Sequence, residues 1–130
     1  MPRVLLVHVN TDDREMYAEY LRGRGYDVTE VSRTDAATPL LASTDILITG
    51  LLIPGDIFPI ALIEGARTGR WGKIVPVLVV TAASGAPLHR EAEAAGAFRV
   101  LLKPCYPGDL VDAIDAVLHR DPASPRNPRA

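Results

Sequence analysis

Four apolar runs in this chain end on residues that decide what chemistry is available. Val4-Leu-Leu-Val7 leads into His8-Val9, and Ile46-Leu-Ile-Thr49 into Gly50. Val75-Pro-Val-Leu-Val-Val80 leads into Thr81, and Phe98-Arg-Val-Leu-Leu102 into Lys103. Short apolar runs bounded by turn residues read as strands buried on both faces. In a parallel α/β sheet, chemistry collects at the carboxyl ends of such strands. A pocket built from these ends gathers an imidazole, a hydroxyl and an ammonium around Gly50, a position with no side chain. Hydroxyl and ammonium together can hold an anion. Neither a paired carboxylate nor a nucleophile with a positioned base is present, so no enzymatic reaction is expected there.

Each of these residues has a plainer reading beside the functional one. Lys103, if partly buried, must lose its charge, turn to solvent, or find an anion, and Asp12 or a captured small anion are the expected partners. Retention of Lys103-Pro104 for backbone geometry is the plain alternative. His8 has an unperturbed pKa near 6.5 and is a candidate pH-sensitive group; a hydrogen-bonded space filler at a strand end is the preferred reading. It lacks partners for a metal, because His89 and His119 fall on other elements. Thr81 either donates to an anion, caps the fourth helix, or bonds to backbone. Asp12 and Asp13 read as cap and dipole groups of the first helix. Asp45 begins its strand and so lies at the opposite edge of the sheet, and Asp56 lies past the Pro54-Gly55 turn. Cys105 reads as a buried filler rather than a reactive thiol.

The elements that must position these groups follow from periodicity. Thr11-Asp12-Asp13 offers a helix start, with Met16, Tyr17, Tyr20 and Leu21 on one face and Gly23 and Gly25 as the stop. Tyr26-Asp-Val-Thr-Glu-Val31 alternates and carries charge, which suits an edge strand. A second helix between Asp35 and Ala42 is broken or begins late, because Pro39 in its interior would cost roughly 3 kcal/mol. A third helix runs from about residue 57 to 67, with Pro59 in its first turn. Residues 86 to 95 form an Ala-rich helix closed by Gly96, and Pro107 opens a last helix with Leu110, Ile114 and Leu118 on one face. Strands alternating with helices require right-handed crossovers and a parallel sheet covered on both sides. The expected fold is a (βα)5 doubly wound, flavodoxin-like sandwich with strand order 2-1-3-4-5.

Bulk properties narrow the function classes. A chain of 130 residues is one domain, here residues 1–120, followed by a Pro-rich polar tail, residues 121–130, expected to be disordered or a linker. A net charge of −2 gives no electrostatic ground for nucleic-acid binding. No run approaches the ~20 apolar residues of a membrane span, and the single cysteine fits a reducing cytoplasm. Gly23-Arg-Gly25 follows a helix and precedes a strand, the reverse of a dinucleotide-binding turn.

Taken in order, Arg14-Glu-Met-Tyr-Ala-Glu-Tyr-Leu21 with Gly25-Tyr26, Leu52-Ile-Pro-Gly55, Val79-Val-Thr-Ala82, Ala94-Ala-Gly-Ala97 and Leu102-Lys-Pro104 resemble the response-regulator receiver domain, the CheY-like module of bacterial two-component signalling. The resemblance runs from Val4 to about His119. It implies a phosphoryl switch. An aspartate ending the third strand takes phosphate from a histidine kinase, two acids after the first strand hold Mg²⁺, and a Thr or Ser and a Lys read the phosphate. Mg²⁺ wants carboxylate oxygens and waters in an octahedron, and phosphoryl transfer is mostly positioning and charge stabilisation. This sequence departs from that pattern at its centre. The acidic pair falls on His8 and Val9, the phosphoacceptor on Gly50, and the switch aromatic on Val100. Thr81 and Lys103 remain. Mg²⁺ binding is therefore expected to be lost.

The resulting expectation is a pseudo-receiver acting by protein contact, independent of phosphorylation. Expected partners are signalling proteins, a histidine kinase or an output protein, or a second copy of the chain. The contact surface is either the fourth helix, fifth strand and fifth helix, or the apolar run Ile57-Phe58-Pro-Ile60-Ala-Leu62-Ile63, read as a patch because a surface helix needs a polar side. The alternative is a sensor of small anions or other ligands in the vacated pocket of His8, Val9, Gly50, Thr81 and Lys103, where loss of three negative charges beside a lysine favours anions.

Overall fold

The computed structural model describes residues 1–82 and 85–119; the tail assigned to residues 121–130 lies outside the described residues. Five parallel strands, β1 (Arg3–Val7), β2 (Asp27–Val31), β3 (Ile46–Thr49), β4 (Val77–Thr81) and β5 (Arg99–Leu102), form one sheet in the order β2-β1-β3-β4-β5. This is the flavodoxin-like order expected from the sequence. The helices are α1 (Thr11–Gly23), α2 (Thr34–Ala37), α3 (Pro59–Thr68), α4 (Ala86–Ala95) and α5 (Pro107–Leu118), with a 3₁₀ segment, Thr38–Ser43, continuing α2. Pro39 explains that segment: it cannot donate within an α-helix, so the chain tightens into 3₁₀ geometry there.

Strand alternation sends successive side chains to opposite faces of the sheet. Val4, Leu6, Ile46, Ile48, Leu78 and Val80 pack with Tyr17, Leu21, Leu110 and Ile114 of α1 and α5. Leu5, Val7, Leu47, Val77 and Val79 pack on the other side with Leu41, Leu62, Ile63, Ala66 and Ala92. The three inner strands are therefore apolar on both faces, as strands covered by helices on both sides must be. The edge strand β2 buries only Val28 fully, matching its charged alternation.

Two details differ from the sequence expectation. The cap of α1 is Asn10, one residue earlier than Thr11, with its side chain accepting from the Asp13 N–H at 2.9 Å. The α3 helix begins at Pro59, and its Leu62 and Ile63 are 0% exposed. Those two residues belong to the core against β3 and β4, so the predicted Ile57–Ile63 contact patch is corrected. Ile57 and Ile60 are half-buried, and only Phe58, at 82% exposure, projects freely from that run. The reason is that the run straddles a loop and a helix start, so it does not form one helical face.

The loop between β3 and α3 is pinned from α2. Thr34 N–H donates to the Pro54 carbonyl at 3.0 Å and its hydroxyl donates to the Ile57 carbonyl at 2.7 Å. Gly55, at φ +139°, passes so close that a Cβ there would collide with Thr34 Oγ1. Among the described residues no helix is long and apolar enough to cross a membrane.

Candidate functional site

The carboxyl ends of β1, β3, β4 and β5 bring together His8, Gly50, Thr81 and Lys103, the four residues grouped from the sequence. They line a cavity of about 120 Å³ with Val9 and Leu52 at its rim. Register explains the convergence. Gly50 N–H donates to the Val7 carbonyl at 3.1 Å and Lys103 N–H to the Thr81 carbonyl at 2.8 Å, extending both strand pairings into the loops. The Lys103-Pro104 peptide bond is cis.

Ile53 closes over one side of Gly50. A Cβ built there would lie 3.2 Å from Ile53 Cδ1, 3.5 Å from His8 Nδ1 and 3.6 Å from the Val80 carbonyl oxygen. Ile53, buried, turns back from the loop over the position where a side chain would stand. Sequence reasoning missed this role of Ile53, whose only signal is an apolar residue in a turn that otherwise favours polar ones. Thr49 adds to the packing, its hydroxyl donating to the Gly50 carbonyl at 3.0 Å.

His8 follows β1 and is only 5% exposed. Its ring meets Tyr17 edge-on, with centroids 6.2 Å apart and planes at 86°. Lys103 Nζ lies 2.5 Å from His8 Nε2 and 2.5 Å from Asp13 Oδ2. An ammonium can only donate, so His8 Nε2 accepts and the ring is the neutral tautomer protonated at Nδ1. Burial, reinforced by the Lys103 charge, lowers the His8 pKa from 6.5 to about 4 against the opposing pull of Asp13. That removes His8 as a switch near neutral pH and leaves the hydrogen-bonded space filler.

The partner of Lys103 is corrected from Asp12 to Asp13. Asp12 is exposed, whereas Asp13 stands on the inner side of the first turn of α1. With Asn10 as cap, Asp13 is the third helical residue, and a helix turns about 100° per residue. Asp13 stands four residues before Tyr17 and eight before Leu21, on the face of α1 that packs on the sheet, and Asp12 is turned about 100° away from it. Asp13 is thus more than a cap or dipole group. Thr81 is buried, and the residue capping α4 is Gly85, so Thr81 does not cap that helix. Cys105 is buried with its thiol pKa raised by burial, consistent with a filler. Val100 sits half-buried on β5, opposite Val79 in register and packed with the α3 and α4 side of the core.

Asp45 belongs to a different place. At the amino end of the sheet its carboxylate accepts from Arg3 N–H at 2.7 Å and from Lys73 Nζ at 3.0 Å, and the Arg3 N–H foremost holds its pKa below the usual range. Asp56 is exposed past the turn.

The donor set does not fit Mg²⁺. The acidic-pair positions carry an imidazole and an alkyl group, Gly50 contributes no oxygen from a side chain, and Asp13 is paired with Lys103. A hard octahedral cation requires carboxylates where these stand. Among the described residues no three His, Cys, Asp or Glu side chains are grouped as metal ligands.

No family model matches this sequence, and no curated protein sequence does. Solved structures do match the fold. A putative response regulator from Chloroflexus aurantiacus is similar at 29% identity, with 92% of this chain and 100% of that one covered and a TM-score of 0.82. The chemotaxis protein CheY4 of Vibrio cholerae is similar at 24% identity over 90% of this chain and 98% of its own, at a TM-score of 0.79. The signal receiver domain of a modulated diguanylate cyclase from Desulfovibrio desulfuricans is 20% identical, covers 92% and 94%, and scores 0.81. The structural neighbours of this chain are CheY-like response-regulator receiver domains.

Proposed function

We propose that this chain is a receiver domain of two-component signalling that works by protein contact, without aspartyl phosphorylation and without catalysing a reaction. The observation that carries the reading is the acceptor position without a side chain. Gly50 offers no carboxylate to the pocket, and Ile53 closes to within 3.2 Å of where a Cβ would stand. The same site offers no carboxylate set for a divalent cation, and its lysine is already matched by Asp13. Similarity to receiver structures over about nine-tenths of the chain supplies the signalling context.

The partner is a signalling protein, a histidine kinase or an output protein, or a second copy of this chain. The face of α4, β5 and α5 is the proposed surface, where Leu102 and Tyr106 are exposed apolar groups at the end of β5 and the entry to α5. The pairing of Lys103 with Asp13 weighs against the small-anion sensor. An amide correlation spectrum recorded with and without Mg²⁺ and a small phosphodonor tests the reading. The amides of Gly50, Thr81 and Lys103 are expected to keep their positions; saturable Mg²⁺-dependent shifts at these three would contradict it.

A further inference from the structure

A lysine as buried as Lys103 needs an anion beside it to stay charged. Here α1 supplies one. Asp13 Oδ2 contacts Lys103 Nζ, and one turn later Tyr17 Oη donates to the Cys105 carbonyl at 2.8 Å. Residues four apart lie on one helical face, so α1 grips both ends of the short segment Lys103 to Cys105. The grip is oriented at its base. Asn10 Oδ1 accepts from Asp13 N–H at 2.9 Å, and Arg14 Nη1 donates to the His8 carbonyl at 2.9 Å. His8 Nε2 accepts a second hydrogen bond from the Lys103 ammonium, so the cation is held from the end of β1 as well.

We propose that Asp13 and Tyr17 form an internal latch that holds the β5–α5 loop in one fixed conformation, Asp13 standing in for the anion that would otherwise set Lys103. The latch fixes Tyr106, which is 71% exposed and whose carbonyl accepts from Asp109 N–H at 3.0 Å to start α5. The interactions suit the role. Lys103 is mostly buried while the Asp13 carboxylate reaches solvent, so their ion pair is only partly shielded from screening, and the Tyr17 hydroxyl bond is buried. A charge-assisted bond that is half open to solvent is worth up to about one power of ten in a local opening equilibrium. The latch rests on the phosphorylation-independent reading only for the meaning of the loop it holds; the contacts stand by themselves.

Native-state hydrogen exchange on the whole chain tests it, following the amides of Lys103, Asp109 and Leu110 against those of the α5 interior. Asp13→Asn keeps the backbone donor to Asn10 and removes the charge; exchange at the three amides is expected to rise about tenfold, with Ala113 and Ile114 changing much less. Lys103→Met should give the same pattern with an effect at least as large, since it also removes the bond to His8, and the double variant should do no more than Lys103→Met alone, because the Asp13 contact is already lost there. Tyr17→Phe should add a further few-fold rise. Unchanged exchange in Asp13→Asn, a uniform rise at all amides, or additive single effects would each overturn the latch. Phosphorylation of the wild-type chain would instead overturn the functional reading and leave these exchange results standing.

Discussion

Acid should weaken this fold through His8, and the size of the effect can be worked from the site. In the folded chain the imidazole is buried between Lys103, Arg14, Asp13 and the edge of Tyr17, and it takes a proton only near pH 4 instead of 6.5. Between those values the unfolded chain binds a proton that the folded chain refuses. Stability is therefore full above about pH 6.5 and is lost as pH falls toward 4. With one pKa unit equal to about 1.4 kcal/mol, the loss reaches about 2 kcal/mol by pH 5 and about 3 kcal/mol near pH 4. Most carboxylates are still ionised at about pH 5, so the contribution of His8 stands apart there. Urea unfolding of the wild type and of His8→Asn, at about pH 7.5 and about pH 5, measures it. The wild type is expected to lose about 2 kcal/mol more than the variant across that interval. Equal losses in the two proteins would refute the argument that burial and Lys103 keep His8 neutral.

Other outcomes follow from packing. Gly50→Ala should cost about 1 kcal/mol, since its methyl group meets Ile53 at 3.2 Å, and Ile53→Val should absorb that cost by removing the contacting carbon, giving a non-additive double variant in urea unfolding. Leu62→Ala should lower stability by about 3 kcal/mol as a core truncation, while Phe58→Ala should stay within about 0.5 kcal/mol; similar costs for both would restore the single apolar patch. Raising pH past 10 should also destabilise the fold. The Tyr17 phenol, pushed up to about 12 mainly by burial, stays protonated when folded after it would ionise unfolded, and Tyr17→Phe should reduce that slope in alkaline unfolding curves, leaving the smaller share of Tyr26 and Cys105.

The sheet order and most of the helices were legible because the signals were redundant. Residues 4–7, 46–48 and 77–80 are apolar without interruption, which in a chain of this length requires helices on both faces. The charged alternation of Asp27–Val31 placed it at an edge, and Pro39 broke the second helix where its missing N–H demanded. The members of the site were legible too, since strand ends of a parallel sheet converge by construction. The contacts inside the site were not. The pairing of Lys103 with Asp13 follows from Asp13 sharing the buried face of Tyr17 and Leu21, a spacing of four that is present in the sequence but does not say which strand end that face meets. Ile53 folding over Gly50 depends on a loop path set by Thr34, 19 residues earlier in the chain, through its bonds to Pro54 and Ile57. Leu62 and Ile63 read as part of a surface patch because the run is apolar on more than one helix face, and the sequence does not show that this face meets β3 and β4.

The central claim is that this receiver-like site no longer accepts phosphate, and intact mass tests it most directly. The purified chain is incubated with Mg²⁺ and a small phosphodonor, beside a receiver known to be phosphorylated under the same conditions. The account predicts an unchanged mass for this chain and one added phosphoryl group on the control. A stoichiometric phosphoryl adduct on this chain, lost on treatment with hydroxylamine as an acyl phosphate is, would contradict it.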